Sequence, residues 1–471
     1  MLQPLDIRAI LYERYCVNKL GFLSAVFGFI ILIPIFYFKI QLGVLFYILM
    51  IIPGLLFLPI LLSEEIIGII ILFFLLFSSI SAVFGRLVKP SLLLLMILLI
   101  INYLHNNWKN IHWSRLHLFI AIYIIAIMFS LLFTFDFIRV KIDVYDLLKA
   151  IVYFFLITEI TILCIKKYTL KSIEIIFNTI ILACVVGSVV SIYFFIKNPF
   201  IAQLEKLGGF SVRTRGWMED PNYFAMVLDS VLIISYFMLV KTKSIILKSL
   251  YIISIILLIA GIILSLSRGG FFGLICVFLI VLYNERKKKL TWIILSFLII
   301  LFFIFFGQDF ISRLETLSNF GSSRDESLYG RLQFIKIGID NIIKSPIFGI
   351  GFGDFHESVT HFYAENTVIY NIAHNIWLQI AAETGLFGLF SYLGIIISSI
   401  TLLYNSKKQI KNQHNKKIIY YVKALFFAQI IFFIPATFLS VHLHFAIWSY
   451  WALTVALIWG IYKGGLDETG E

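Results

Sequence analysis

Apolar runs of about 18 residues or more recur from one end of the chain to the other, each long enough to span the hydrocarbon of a bilayer. With 61% hydrophobic residues, 14% charged residues and a mean hydropathy of +0.99 over 471 residues, a water-soluble fold has no way to hide this much apolar surface. In hydrocarbon only helices and closed barrels satisfy their own backbone, and no segment alternates as a barrel strand does. The reading is an all-α polytopic membrane protein. Spans fall at about 20–38, 42–62, 66–84, 90–104, 116–135, 147–165, 172–196, 223–240, 246–266, 270–284, 290–306, 376–404, 418–438 and 444–462. The 90–104 run is short and begins at Pro90, which suits a re-entrant piece, so the count is about twelve to fourteen.

The net charge of +12 comes from short basic clusters between spans, a pattern that orients a membrane protein and argues against nucleic acid as a partner. Lys166 with Lys167 and Lys171, then Lys241/Lys243/Lys248, Arg286 through Lys289, and Lys407/Lys408/Lys411/Lys416/Lys417 are assigned to the cytoplasm. Residues 197–222, 307–375 and 439–443 then fall outside, and both termini inside. Three regions result: N-terminal helices over 1–196, a core over 197–404 that includes the outer loop 307–375, and C-terminal helices with a short tail over 405–471. No small-residue cleavage site follows the first apolar run, so it reads as a span and not as a removed signal. Four scattered cysteines, Cys16, Cys164, Cys184 and Cys276, read as free thiols in or beside spans.

The stretch from Ile246 to Tyr283 is almost wholly apolar, yet basic clusters flank both of its ends. It must fold as a hairpin, and its tip is expected at Ser267-Arg268-Gly269-Gly270, where two glycines permit a turn. Within the long outer loop, residues 331–344 carry Leu332, Ile335, Ile339 and Ile342 on one face, which predicts an amphipathic helix on the membrane or over the bundle. A glycine-rich turn, Gly349-Ile350-Gly351-Phe352-Gly353, follows it. That turn lacks the lysine and strand–helix setting of a nucleotide loop.

The polar groups in the outer segments set the chemistry. Arg213 and Arg215 project to one side if 211–216 is extended, and Asp220-Pro221 is an N-cap and first-turn pair that starts the next helix beside them. Arginines at a helix N-terminus suit a phosphate, although an interfacial arginine also snorkels to lipid headgroups, and both readings stand for Arg213, Arg215 and Arg268. Arg331 opens the loop helix, where a solvated face is the simpler reading; Arg313 and Arg324 read as solvated. Asn371, His374 and Asn375 precede an apolar helix beside Trp377; His374 is a general base by chemistry and a cap or interfacial histidine by habit. Glu383, deeper in that span, needs a partner. His356, His361, His442 and His444 face outward, with Asp354 nearby, but without the helical spacing of a metal site, so no metal is expected.

Taken in order, Arg213-Thr214-Arg215-Gly216, Asp220-Pro221-Asn222, Ser267-Arg268-Gly269, Gly330-Arg331, Pro346 with Gly349 and Gly351, and Ala373-His374-Asn375 with Glu383, Gly385 and Gly388 resemble the O-antigen ligase/polymerase superfamily of bacterial membrane glycosyltransferases. The likeness covers residues 205–390 or so. It implies a GT-C-type bundle in the cytoplasmic membrane that takes an undecaprenyl-diphosphate-linked oligosaccharide as donor, with inversion and without a metal or other cofactor. It implies a hydroxyl as acceptor, on a lipid A core, another lipid-linked repeat unit or a protein serine, and other polysaccharide-assembly proteins as partners. In that frame Arg213, Arg215 and Arg268 hold the diphosphate, and His374 takes the acceptor proton. Arg331 holds phosphate or acceptor, Asn375 orients the histidine, and Asp220 and Asn222 join the substrate-binding group. The lysine- and isoleucine-rich composition leans toward a polymerase over a ligase. The competing class is a flippase for lipid-linked oligosaccharide, which should show internal repeats and midplane ionisable groups; here the halves differ and the polar groups gather at one face.

Overall fold

The computed structural model describes residues 65–78, 112–135, 137–197, 213–216, 218, 220–285, 326–356, 359, 372–410 and 417–462. Among these described residues are eleven helices and no strand. They are α1 (Glu65–Ser78), α2 (Arg115–Leu131), α3 (Phe137–Tyr168), α4 (Leu170–Lys197), α5 (Pro221–Lys241), α6 (Ile245–Leu264), α7 (Arg268–Glu285), α8 (Glu326–Lys344), α9 (Ile376–Ile410), α10 (Ile418–Ala436) and α11 (Phe445–Tyr462). Eight of them are long and apolar enough to cross a membrane, so the protein is an all-α, multi-pass membrane protein. The spans expected at 20–38, 42–62, 90–104 and 290–306 lie outside the described residues, as do both termini and the Arg286–Lys289 cluster. The count of twelve to fourteen rests on the sequence.

Position in the bundle follows each helix's surface. α11 is apolar all round and is buried on every side, with Trp448 and Trp451 fully enclosed. α5 is buried from Phe224 to Ser235 and again at Phe237 and Met238, and packs on α10, α6 and α7. α6 is equally apolar, yet Ile245, Ile246, Ile252, Ile253 and Ile256 stay exposed, as expected of a perimeter helix whose solvent is lipid. Polar contacts hold the interior together where lipid gives no hydrophobic drive between helices. Ser399 of α9 donates to Gln429 of α10 at 2.7 Å, and the Gln429 amide donates to Thr454 of α11 at 2.9 Å.

The bundle has two chemically different ends. At one, the Lys241 ammonium at the close of α5 bonds Glu174 near the start of α4 at 2.6 Å and lies over the ring of Tyr421 near the start of α10. Lys166 near the close of α3 lies over Trp459 near the close of α11. This basic end collects several of the lysines used above for orientation. The opposite end, called the loop end here, collects the starts of α5, α7 and α9 and the turn between α10 and α11.

The hairpin α6–α7 forms, but its turn is at Ser265–Ser267, beginning two residues before the expected tip. Leu266 supplies the left-handed residue at φ 49°, and Gly269 and Gly270 are inside α7. Their place is explained by packing: a Cβ on Gly270 would lie 2.3 Å from the Cβ of Ala225 on α5. The amphipathic helix expected in the long loop forms as α8. The side buried against α9 is Phe334, Ile337, Gly338 and Asn341, whereas Ile335 and Ile339, read as part of the apolar face, are exposed. The side chain of Leu332 lies outside the described residues. The reason is shape: Gly338 lets α8 approach until a Cβ there would meet Leu378 at 2.6 Å.

α9 is two helices joined at Gly385, whose φ of 67° and ψ of −173° no other residue type adopts readily. The break frees backbone groups, and the glycine-rich turn takes them up. Ile350 and Gly351 N–H donate to the carbonyls of Ala382 and Glu383 at 3.0 and 3.3 Å. Leu386 and Phe387 N–H donate to the carbonyls of Pro346 and Ile347 at 2.8 and 3.2 Å.

Candidate functional site

The arginine side is built from four short pieces of chain. Asp220 caps α5, accepting from Asn222 N–H at 2.6 Å and Tyr223 N–H at 3.2 Å, with Pro221 at the first helical position. The cap leaves the Asn222 side chain pointing toward the α6–α7 turn. Its Oδ1 accepts from the Arg213 guanidinium at 2.6 Å and from Ser267 Oγ at 2.9 Å. Arg213 Nε also donates to the carbonyl of Ser265 at 3.0 Å, so two donors fix the plane of its guanidinium. Ser267 Oγ in turn accepts from Gly270 N–H at 3.1 Å and caps α7, whose first residue is Arg268. Thr214 is buried against Ser191 with Arg213 and Arg215 exposed on either side, so the two arginines do share a face. Sequence reasoning placed Asn222 in this group but not as its hub, because no local pattern announces a contact between residues 213, 222 and 267.

The histidine side is the start of α9. His374 is half-buried with φ 48°, and Leu266, two residues before Arg268, has φ 49°; two of the three non-glycine left-handed residues among the described residues therefore flank the site. Such conformations cost of order 1–2 kcal/mol each and are held by their surroundings. Asn375 does not serve to orient the histidine through its carbonyl. Its Oδ1 is spent on the N–H groups of Trp377 and Leu378, both at 3.0 Å, as the cap of α9. The His374 ring lies 6.4 Å from that of Phe334 on α8. Arg331 is in α8 one turn before Phe334, and its side chain lies outside the described residues. Asn371 and His361 lie outside them too.

The loop-end close of α10 stands between the two sides. Gly269 lies against Pro435, where an added Cβ would meet the Pro435 Cα at an ordinary contact distance of 3.7 Å. On the other flank the Trp377 indole N–H donates to Thr437 Oγ1 at 3.3 Å, and its ring lies 5.7 Å from Phe433. The start of α7, with Arg268, and the start of α9, with His374, thus flank one helix end. The following turn completes the surface: the His444 ring lies 6.0 Å from Tyr223, and the His442 ring lies 6.0 Å, edge-on, from Phe352 of the glycine turn.

Two of the other polar groups, His442 and Asp354, are buried. Asp354 accepts from Phe135 N–H at 2.6 Å, and burial lowers the His442 pKa from 6.5 to about 4. Glu383 finds the partners it needs: the Gln379 amide donates to it at 3.0 Å, and the N–H groups of Gly353 and Phe355 bond it as well. It ties the glycine turn to α9. Among the described residues no group of three or more histidine, cysteine or acidic side chains converges as a metal site. Cys164 and Cys184 are buried free thiols, Cys276 is a half-buried one, and Cys16 is outside the described residues.

The comparison with curated proteins gives no match. The family model described as O-antigen ligase matches residues 253–393, which run from the third turn of α6 through the Gly385 break and include Arg268, Arg331, His374 and Glu383. Arg213, Arg215, Asp220 and Asn222 precede that stretch and join it only in space. Residues 253–393 thus match an O-antigen ligase domain set in a multi-pass helical bundle, which supports the O-antigen ligase/polymerase superfamily.

Proposed function

We propose that the protein transfers a glycan from an undecaprenyl-diphosphate donor to a sugar hydroxyl at the outer face of the cytoplasmic membrane. The reaction inverts the anomeric carbon and needs no metal. The observation that supports this best is the placement of Arg268 and His374 on the two flanks of one helix end, with the Arg213–Asn222–Ser267 set bonded onto the Arg268 side. Both ends of the chain would then lie in the cytoplasm and the loop end outside. A leaving diphosphate gains charge as the glycosidic bond breaks. Arg213, Arg215 and Arg268, beside the N–H groups that open α7, offer donors for that charge without reorganisation. Arg331 serves the second phosphate or the acceptor. His374 takes the proton of the attacking hydroxyl. The polyprenyl tail needs a lipid-facing approach and the glycan needs water, and a site at the end of the bundle offers both.

The test is direct. Purified protein is incubated with undecaprenyl-diphosphate-linked oligosaccharide in EDTA, with and without a lipid A-core acceptor, and the glycan is followed on gels. A ladder from donor alone identifies a polymerase, and a single shifted band that requires the acceptor identifies a ligase. Removing the base in His374→Ala is expected to cost about 10²–10⁴ in rate. Arg268→Ala is expected to cost about 10²–10³. Full activity in both variants, or lipid scrambling in vesicles without transfer, would sink the reading.

A further inference from the structure

Around α8, at about 100° per residue, the side chains divide into three sectors. Phe334, Ile337, Gly338 and Asn341 are buried against α9. Lys336, Asp340 and Lys344 form a polar sector. Between them runs an edge of isoleucines that the bundle leaves uncovered: Ile335 is 42% exposed, Ile339 47% and Ile343 71%, and Ile347 in the following turn is 61% exposed. A helix packed on one side only, in water, would place polar residues on both remaining sectors. Here one of the two is purely aliphatic, with Lys336 and Lys344 in the adjoining polar sector.

What covers this edge follows from its continuation. Pro346 and Ile347 accept from the N–H groups of Leu386 and Phe387, just beyond the break in α9. Leu386, Phe390 and Ile397 are exposed along the part of α9 counted among the membrane spans. The isoleucine edge therefore runs without interruption into a lipid-facing stripe. Phe348, in the same turn, stacks on Phe133 at 6.2 Å and touches Phe129 at 5.2 Å, both on the exposed apolar side at the close of α2.

We propose that the isoleucine edge of α8 is a membrane-contact surface. Ile335, Ile339, Ile343 and Ile347 insert among the acyl chains of the leaflet at the loop end, and Lys336 and Lys344 meet the phosphate headgroups. The occupant is bulk lipid, not a second copy of the chain, because the surface it extends is already lipid-facing. α8 also carries Phe334 against the His374 ring and Gly338 against Leu378. The bilayer thus sets the height of the segment that presents His374.

The test does not depend on any enzymatic activity. Single cysteines replace Ile339, Ile343, Ile397 and Lys344 in turn, in a chain whose four native cysteines are changed to alanine. Each is labelled with a small fluorophore and reconstituted in nanodiscs of ordinary lipid or of lipid brominated near the head of the acyl chain. Labels at 339 and 343 are expected to lose roughly half their emission to brominated lipid, as at 397, whereas a label at 344 loses little and responds to aqueous iodide. Iodide quenching at 339 and 343 without bromolipid quenching overturns the proposal. Protection from both quenchers overturns it as well, since another protein surface then covers the edge. If the cysteine-free chain does not fold, the emission that Ile339→Cys adds over the labelled native chain gives the same comparison.

Discussion

Two sets of glycines crowd the loop end, and they are there for different reasons. Gly269, Gly270 and Gly273 lie on α7 with ordinary helical backbone, and what they supply is room: a Cβ on Gly273 would sit 2.3 Å from the carboxylate of Asp229, and one on Gly270 the same distance from the Ala225 Cβ. Gly349, Gly351 and Gly385 all have positive φ, and a Cβ on Gly349 or Gly385 would lie 2.2 Å from a backbone oxygen of the facing segment. Gly270 and Gly273 meet side chains, which can be changed in compensation. Gly349 and Gly385 meet main chain, which cannot, and they hold a conformation that side chains disfavour. The arginine side of the site is accordingly a matter of close helix packing, and the histidine side a matter of a locked backbone break.

Substitutions can break that contrast. Gly385→Ala combines a disfavoured conformation with a main-chain collision and should cost about 3 kcal/mol or more. In detergent its apparent melting midpoint should collapse, with no single side-chain change elsewhere restoring it. A rescue by trimming a neighbouring side chain would place Gly385 with the packing set.

Next in size is a pH effect on the histidine side, through His442 beside Phe352. Its folded pKa of about 4 lies below the ordinary 6.5, so above pH 6.5 both folded and unfolded chains are neutral there and nothing changes. As pH falls from 6.5 toward 4 the unfolded chain takes up a proton that the folded one refuses. Stability drops by up to about 3 kcal/mol over that window. Melting midpoints across the window should fall, and His442→Gln should flatten the fall; an unchanged acid limb would remove His442 as its source.

On α7 the expected effects are smaller and reversible. Gly270→Ala should cost about 1–2 kcal/mol by overpacking against Ala225, and Ala225→Gly in the same chain should recover most of it. The helix propensities of the two changes oppose each other, which isolates the packing part. Without recovery in that cycle, Gly270 would belong with the conformational set after all. Smallest is Gly269→Ala, where the added Cβ meets Pro435 at an ordinary 3.7 Å. Its midpoint should correspond to a change within about 0.5 kcal/mol of the parent.

Much of the molecule was legible in the chain because membrane folding obeys one-dimensional rules. Apolar run length gave the helices, and α5, α9, α10 and α11 begin or end within a few residues of the expected spans. Flanking lysines gave the hairpin, and Asp220-Pro221 gave a helix start that the hydrogen bonds bear out. The residue types at the loop end were legible too, since charged and polar groups stand out against an apolar background. Their arrangement was not. Asn222 as the hub of Arg213 and Ser267, Asn375 as a cap, the buried side of α8 and the union of the glycine turn with the Gly385 break all depend on contacts between segments far apart in sequence. Periodicity reads each helix against an average surrounding. Which of its faces meets protein, which meets lipid and which side chain finds which partner are settled only when the helices pack.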